Sequence, residues 1–300
     1  MNESTMNRRH FLKTAAGIAA GAALLPSCTS GKTKVASDQV TLGNTGLTIS
    51  RLGIGCGCHS GREVREMGAD NFNNLIRYAY DRGITYLDTA QSYRTHSFVR
   101  DAIKGLPREK FFILTKMGGR PDDPLQVLEN FRKELDTDYI DCVLLHCKIR
   151  ADWDETHKHL IETFAEAKEK GIIRSHGVSC HSLPATTKAA QMDWVDVNLV
   201  RLNPQGVLID TPNEKVFESS TPEHLPPVLE QLALMRQNGH GIIGMKIIGE
   251  GGFTDPEDRK KSMQFAMQPG LVDAVTIGFK SITELDEAIT NMNDALSQQS

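Results

Sequence analysis

Phe111-Phe112-Ile113-Leu114-Thr115-Lys116 decides how this chain folds. Five apolar or β-branched residues run without alternation into a lysine, which is the pattern of a strand covered on both faces, as in a parallel sheet wrapped by helices. The pattern returns on either side. Ile84-Thr85-Tyr86-Leu87 stops at Asp88, and Tyr139-Ile140-Asp141-Cys142-Val143-Leu144-Leu145 stops at His146. Between these runs the apolar residues change to a 3.6 period, at Phe72, Leu75, Ile76, Ala79 and Tyr80, then Phe98, Ala102 and Ile103, then Leu128, Phe131 and Leu135. Asp70 or Asn71 is expected to cap the first of these helices and Gly83 to close it, while Asp123-Pro124 starts the third.

The alternation continues outward. Downstream, strands are expected at Ile172 to Ser179, ending at Cys180-His181, at Val195 to Leu202, at Gly241 to Lys246 and at Ala274 to Ile277. Helices Ile161 to Lys170 and Pro226 to Gln237 lie among them. Upstream, Arg51 to Cys58 reads as a strand entering the loop Gly53-Ile54-Gly55-Cys56-Gly57, whose spacing is not a dinucleotide fingerprint. Before it, Val40-Thr41-Leu42 and Leu47-Thr48-Ile49-Ser50 flank a Gly43-Asn44-Thr45-Gly46 turn, a hairpin. Eight strands alternating with helices predict an α/β chain with a (β/α)8 TIM barrel, its amino-terminal end capped by the hairpin.

The bulk composition fits such a domain. Of 300 residues, 39% are hydrophobic and 24% charged, and the net charge of -4 offers no basic field for nucleic acid. No apolar run reaches the length of a membrane span.

The first 28 residues have the composition of an address. Arg8-Arg9-His10-Phe11-Leu12-Lys13 precedes a short apolar segment from Ala15 to Leu25, and together they resemble a twin-arginine export signal. Leu25-Pro26-Ser27-Cys28 resembles a lipoprotein cleavage box, so the resemblance implies the twin-arginine export machinery as a partner and a membrane lipid anchor at Cys28. The implied location is periplasmic or membrane-anchored. Residues 29–38, rich in Ser, Thr, Lys and Gly, read as a solvated tether, which leaves 39–300 for the barrel. Beyond Cys28, five cysteines without paired spacing give no disulfide framework.

In a barrel of this kind, chemistry gathers at the carboxyl ends of strands. Asp88, Lys116 and His146 end three consecutive strands, and Tyr93 lies in the loop after the first of them. A phenol with a pKa of about 10 is a poor acid at neutral pH unless a cation favours its ionised form. Lys116 supplies a cation, and Asp88 a counter-charge that lets the ammonium stay buried.

Asp88, Tyr93, Lys116 and His146, within Asp-Thr-Ala-x-x-Tyr, Leu-Thr-Lys and Leu-Leu-His, resemble the tetrad of the aldo-keto reductases. The resemblance runs over nearly all of the chain from Val40 onward. It implies reversible hydride transfer between a nicotinamide cofactor and a carbonyl or alcohol substrate. Tyr93 would be the proton donor, Lys116 and Asp88 its tuning pair, and His146 the group that orients the carbonyl oxygen. On the cofactor side, Gly177-Val178-Ser179-Cys180 aligns with Gly-Val-Ser-Asn of the family, whose last two residues hold the nicotinamide carboxamide; Cys180 replaces the amide. Asn198-Leu199 stands for Asn-Gln, and Met245 stands where an aromatic ring usually stacks on the nicotinamide. Lys280, Ser281 and Glu284 resemble the adenosine-phosphate segment, with Ser281 and Glu284 forming a capping box, which favours NADP, with NAD as the alternative.

Cys56, Cys58, His59, Cys147, Cys180 and His181 share the same rim, yet no CxxC or HxH pair occurs among them, so reduced thiols and no metal are expected. Substrate selection falls to the loops Cys58 to Gly68, Lys148 to His159 and Gly249 to Asp258. Their Arg62, Arg65, Arg150, Asp152, Trp153, Asp154 and Glu250 point to a sugar-like or otherwise polar substrate. The sequence thus reads as an exported NADP(H)-dependent carbonyl–alcohol oxidoreductase. The alternatives are a cofactor-binding or sensing barrel without net turnover and a metal-dependent barrel hydrolase or lyase.

Overall fold

The computed structural model describes residues 33–298; the export signal, the expected lipid-bearing Cys28 and the first residues of the tether lie outside the described residues. Two short strands, β1 (Gln39–Thr41) and β2 (Thr48–Ser50), pair antiparallel. Eight more follow: β3 (Leu52–Gly55), β4 (Tyr86–Asp88), β5 (Phe112–Met117), β6 (Ile140–Lys148), β7 (Ile173–Cys180), β8 (Val197–Arg201), β9 (Gly241–Met245) and β10 (Ala274–Ile277). They close a parallel barrel, β10 pairing with both β3 and β9.

The helices between them are α1 (Arg62–Met67), α2 (Ala69–Asp81), α3 (His96–Ile103), α4 (Pro124–Leu135), α5 (Trp153–Thr156) and α6 (Lys158–Glu169) in the first half. The second half adds α7 (Leu183–Ala190), α8 (Leu225–Gln237), α9 (Pro256–Ala266) and α10 (Ile282–Ser297).

The unbroken apolar runs have the expected cause. All six residues of β5 are buried, because alternate side chains enter two different cores. Phe112, Leu114, Cys142, Leu144, Val197, Leu199 and Ile243 fill the barrel, while Ile113, Val143, Leu145 and Val178 pack under the helices. Each large apolar side chain so buried contributes about 1.5–3 kcal/mol against an exposed reference. The hairpin adds Leu42, Leu47 and Ile49 to the barrel core and so closes it from below. Gly43 makes this possible: at φ +51 it crosses the start of β9 so closely that a Cβ would lie 2.2 Å from the Gly241 nitrogen.

Several local expectations change. Asp70 and Asn71 fall inside α2, which follows Gly68 without a side-chain cap; Asp70 sits in the first turn, where a carboxylate suits the helix dipole. The rim segments carry helices of their own, α1 after β3 and α5 after β6. The end of the expected tether is docked: Ala36 is fully buried, its N–H donates to Asn293 Oδ1 at 2.8 Å, and its carbonyl accepts from Leu52 N at 3.0 Å. Among the described residues no helix is long and apolar enough to cross a membrane.

Candidate active site

Asp88 ends β4 and Lys116 lies in β5, and adjacent parallel strands bring the two side chains together at the barrel's carboxyl end. The Lys116 ammonium donates to Asp88 Oδ1 and, at 2.9 Å, to the Thr89 carbonyl. Both residues are buried, with Lys116 only 1% exposed. Tyr93 comes from the 3-10 turn Gln91–Tyr93, and its ring centroid is 5.1 Å from Lys116 Nζ. The Tyr93 hydroxyl is 3.3 Å from His146 Nε2. The two rings meet edge to face with centroids 5.4 Å apart.

A backbone irregularity accompanies His146. The β6–β7 register shifts between Leu145 and Lys148, and Cys147 takes φ +58, so the rim breaks the buried pattern and leaves His146 half-buried at the site. Ser92 Oγ lies 3.4 Å from the other imidazole nitrogen, Nδ1. The four residues expected to form a tetrad are therefore assembled in one place. Ser92 is a participant that its sequence position gave no reason to select.

Gly57 is another such residue. A Cβ there would lie 2.8 Å from the Tyr93 ring and 2.9 Å from its hydroxyl, so the absence of a side chain is what leaves room for the phenol. Its place in the glycine-rich loop after β3 was the available signal.

The electrostatics follow from burial. Burial pulls the Lys116 ammonium down, but Asp88 and Tyr93 more than offset this, and the lysine ends above its ordinary value. Burial lifts the Asp88 carboxyl and Lys116 opposes the lift. An ion pair held out of water is the state this geometry supports. Tyr93 is raised: burial lifts the phenol, Lys116 draws it down and Asp88 lifts it again. Lys116 therefore does pull the phenol down, but burial outweighs that pull and leaves Tyr93 above its ordinary value. Burial, with the positive charges of Lys116 and Lys148, pushes His146 down to about 3, so its imidazole is neutral at ordinary pH. Lys148 itself is pushed down to about 8 by burial and donates to His157 Nε2 at 2.7 Å.

A cavity of about 390 Å³ opens beside the tetrad, within the range of a small-molecule site. It is lined by Asp88 and Tyr93 at one end, by Met245 and Leu199, and by Lys280, Glu284 and Asn291 at the other. Gly55, Gly57 and Gly278 also line it; a Cβ at Gly55 would approach Thr276 Oγ1 to 2.9 Å. Met245, Lys280 and Glu284 therefore line one cavity. Ser281 caps α10 by accepting from the Glu284 N–H at 3.2 Å, but Glu284 Oε2 accepts from the Lys280 N–H at 2.7 Å and not from Ser281. The Lys280 ammonium is 3.2 Å from Glu63 Oε2.

Ser179 and Cys180 are not among the residues lining this cavity. Ser179 is buried with Oγ 3.3 Å from His181 Nε2. Cys180 is buried in the layer between barrel and helices, since it alternates with Ser179 along β7, and so its thiol does not stand in for a carboxamide ligand. Burial pushes the Cys180 thiol well above its ordinary value and that of Cys56 up to about 12, which makes both unreactive.

The loop residues expected to form a polar pocket are largely engaged by nearby protein groups. Arg150 chelates Asp152 with both contacts at 2.7 Å, Asp154 pairs with Lys188 at 2.8 Å, and Trp153 is buried, donating to the Ala185 carbonyl. Arg62 reaches Glu66 at 3.8 Å, and Arg65 donates to the Ser60 and Tyr93 carbonyls. Of that set only Glu250 lines the cavity, 2.7 Å from Lys246 Nζ.

Comparison with known proteins places this geometry. Residues 51–298 match the aldo/keto reductase family, and residues 5–24 match the signal sequence of the TAT (twin-arginine translocation) pathway. A Glycine max protein named "Probable aldo-keto reductase 1" is 31% identical over 189 residues, 54% of this chain and 53% of that protein. The chain spans about half the length of the curated relatives it matches. A crystal structure from Pseudomonas aeruginosa, described as an aldo-keto reductase, superposes with a TM-score of 0.68 at 24% identity, covering 88% of this chain and 98% of that one. An aldo/keto reductase from Klebsiella pneumoniae in complex with NADP and acetate has a TM-score of 0.60 at 18% identity, covering 86% and 90%. With a family match that begins just before the first barrel strand and ends after the last helix, the chain belongs to the aldo/keto reductase family.

Proposed function

We propose that this protein is an exported oxidoreductase that interconverts a carbonyl and an alcohol with NADP(H). The observation that carries the reading is the buried Lys116–Asp88 pair beside Tyr93, whose hydroxyl meets a neutral His146 at the end of a cavity.

The residues present fit a nicotinamide dinucleotide. Gly55, Gly57 and Gly278 line the cavity without side chains, Gly57 against Tyr93, Met245 offers a polarisable face, and the capped amino terminus of α10 with Lys280 offers a phosphate seat. The cofactor, when bound, supplies or accepts the hydride. Tyr93 holds the proton that the carbonyl oxygen takes as it becomes an alcohol. Lys116 stabilises the phenolate left behind, and Asp88 keeps that ammonium charged inside the protein. His146 orients the carbonyl oxygen against the phenol. The NADP complex of the Klebsiella protein favours NADP over NAD.

The substrate in this reading is a small hydroxylated or otherwise polar carbonyl, because Ser92, His146 and the Lys246–Glu250 pair are the groups presented around the phenol and the cavity. The twin-arginine match supports export, and Leu25-Pro26-Ser27-Cys28 supports cleavage and lipid attachment at Cys28, with 29–38 as the connection to a barrel over 39–300. The test is a fluorescence titration of the purified chain with NADPH, followed by NADPH oxidation over a panel of sugars and small aldehydes. Tyr93→Phe should bind NADPH as the parent does and fail to turn it over; equal turnover, or no NADPH binding by the parent, defeats the proposal.

A further inference from the structure

We propose that Cys58, His59 and Glu63 form a binding site for a divalent transition metal of the zinc type at the mouth of the cavity. The three potential ligand atoms all lie within 4.8 Å of one another. Cys58 Sγ is 3.6 Å from His59 Nδ1, and that nitrogen is 2.9 Å from Glu63 Oε1. With Zn–S near 2.3 Å and Zn–N near 2.0–2.1 Å, tetrahedral ligation places sulfur and nitrogen about 3.6 Å apart, the separation already present. The nitrogen-to-carboxylate spacing needs to open by only about 0.5 Å, which replaces a hydrogen bond by two metal bonds.

The backbone is bent to make this meeting. His59 and Ser60 take φ +47 and +56 in succession, and Gly61 follows at +79. A non-glycine residue in this left-handed region is strained. That turn sets the thiol and imidazole of adjacent residues side by side, where an extended chain would send them to opposite faces. The first turn of α1 then brings Glu63 to His59.

The surroundings support ligands rather than a bare surface cluster. Glu63 uses Oε1 toward His59 and Oε2 toward Lys280 Nζ at 3.2 Å, so the carboxylate stays oriented when Oε1 takes a metal. Glu250 accepts from the His59 N–H at 3.3 Å, and its own carbonyl faces Cys58 Sγ at 3.9 Å. Lys246 neutralises the Glu250 carboxylate at 2.7 Å. Such outer contacts fix ligand orientation. On binding, the Cys58 thiol releases its proton to solvent, and thiolate plus carboxylate balance the dication. Cys58 and Glu63 line the cavity, so three protein ligands leave the fourth position facing it. The proposal stands apart from the oxidoreductase reading, since its test reads metal and not turnover.

The test titrates the purified, chelator-treated full chain with Co²⁺ alone and then with Zn²⁺. One Co²⁺ per chain is expected, with tetrahedral d–d absorption and a thiolate-to-cobalt charge-transfer band that Zn²⁺ bleaches. Cys58→Ser should abolish the charge-transfer band and weaken binding by about 100-fold or more, and His59→Ala should weaken it similarly. The His59 side chain is 46% exposed, so its loss leaves the barrel intact, as an unchanged thermal midpoint without metal would verify. No stoichiometric uptake, or a charge-transfer band that survives Cys58→Ser, overturns the site and leaves the cluster a hydrogen-bonded loop anchor.

Discussion

The Tyr93 hydroxyl lies 3.3 Å from Nε2 of His146, a contact between residues 53 positions apart that holds a phenol against a neutral imidazole. Because His146 is pushed down to about 3, it does not compete with Tyr93 as an acid. The proposed reading then leaves the phenol to supply the proton on the reacting oxygen, which makes it testable at Tyr93. Tyr93→Phe should lower kcat by about 10²–10⁴ while NADPH affinity and circular dichroism stay unchanged. The pH profile of carbonyl reduction should show no acid limb from His146 above about 4 and should fall on the alkaline side as the phenol, raised by its burial, finally ionises.

Lys116 and Asp88 make a prediction about stability as well as rate. Lys116→Met leaves a carboxylate buried without its partner, at a cost of about 3–5 kcal/mol. Asp88→Asn combined with Lys116→Met should recover most of that loss in denaturant unfolding. It should recover none of the activity, because the cation that stabilises the phenolate is gone.

Gly57→Ala tests the room that the phenol needs. A methyl there would come 2.8–2.9 Å from Tyr93, closer than a Cβ contact allows, so the ring must move. A displacement of about 1 Å at a reacting group lowers kcat by roughly 100-fold. Gly57 has φ -92, which alanine adopts without strain, so the thermal midpoint should change little. A variant with parental kcat would show that Tyr93 has slack in its position.

Acid stability follows from the histidines. His146 and His176 are held at about 3 and about 4 by burial, against 6.5 in the unfolded chain. Folded-state values below the unfolded value mean that the unfolded chain binds protons first. The stability they carry is complete above pH 6.5 and drains as pH falls toward 4, at up to about 1.4 kcal/mol per pH unit for each group. His146→Gln should flatten this acid limb in urea titrations taken between pH 6.5 and 4.

Lys280 gives the cofactor prediction. Lys280→Met should weaken NADP(H) binding by about tenfold and NAD(H) binding much less, since only the former carries the extra phosphate. The parent ammonium already pairs with Glu63 Oε2, so Glu63→Gln should shift the preference further toward NADP(H) by freeing it. Paired titrations with the two cofactors check both.

The sequence by itself determined the barrel and its hairpin, and it pointed to the four polar residues that meet at the rim. Burial on both faces of a parallel strand leaves an apolar run that needs no partner to be recognised, and chemistry at a strand's end interrupts that run with a single polar residue. Asp88, Lys116 and His146 were legible for this reason. What only the tertiary structure decided depends on direction and proximity. Cys180 turned out to face the helix layer because strand alternation assigns Ser179 and Cys180 to opposite sides. The loop charges paired with near neighbours, Arg150 with Asp152 and Asp154 with Lys188 of α7, and the second of these choices is not encoded by spacing along the chain. Gly57 beside Tyr93, Ser92 beside His146, and the left-handed turn that sets Cys58 against His59 are contacts made across or within bends of the backbone. Periodicity records which face of an element is buried, but it carries no information about what two loops do when the closed barrel brings their tips together.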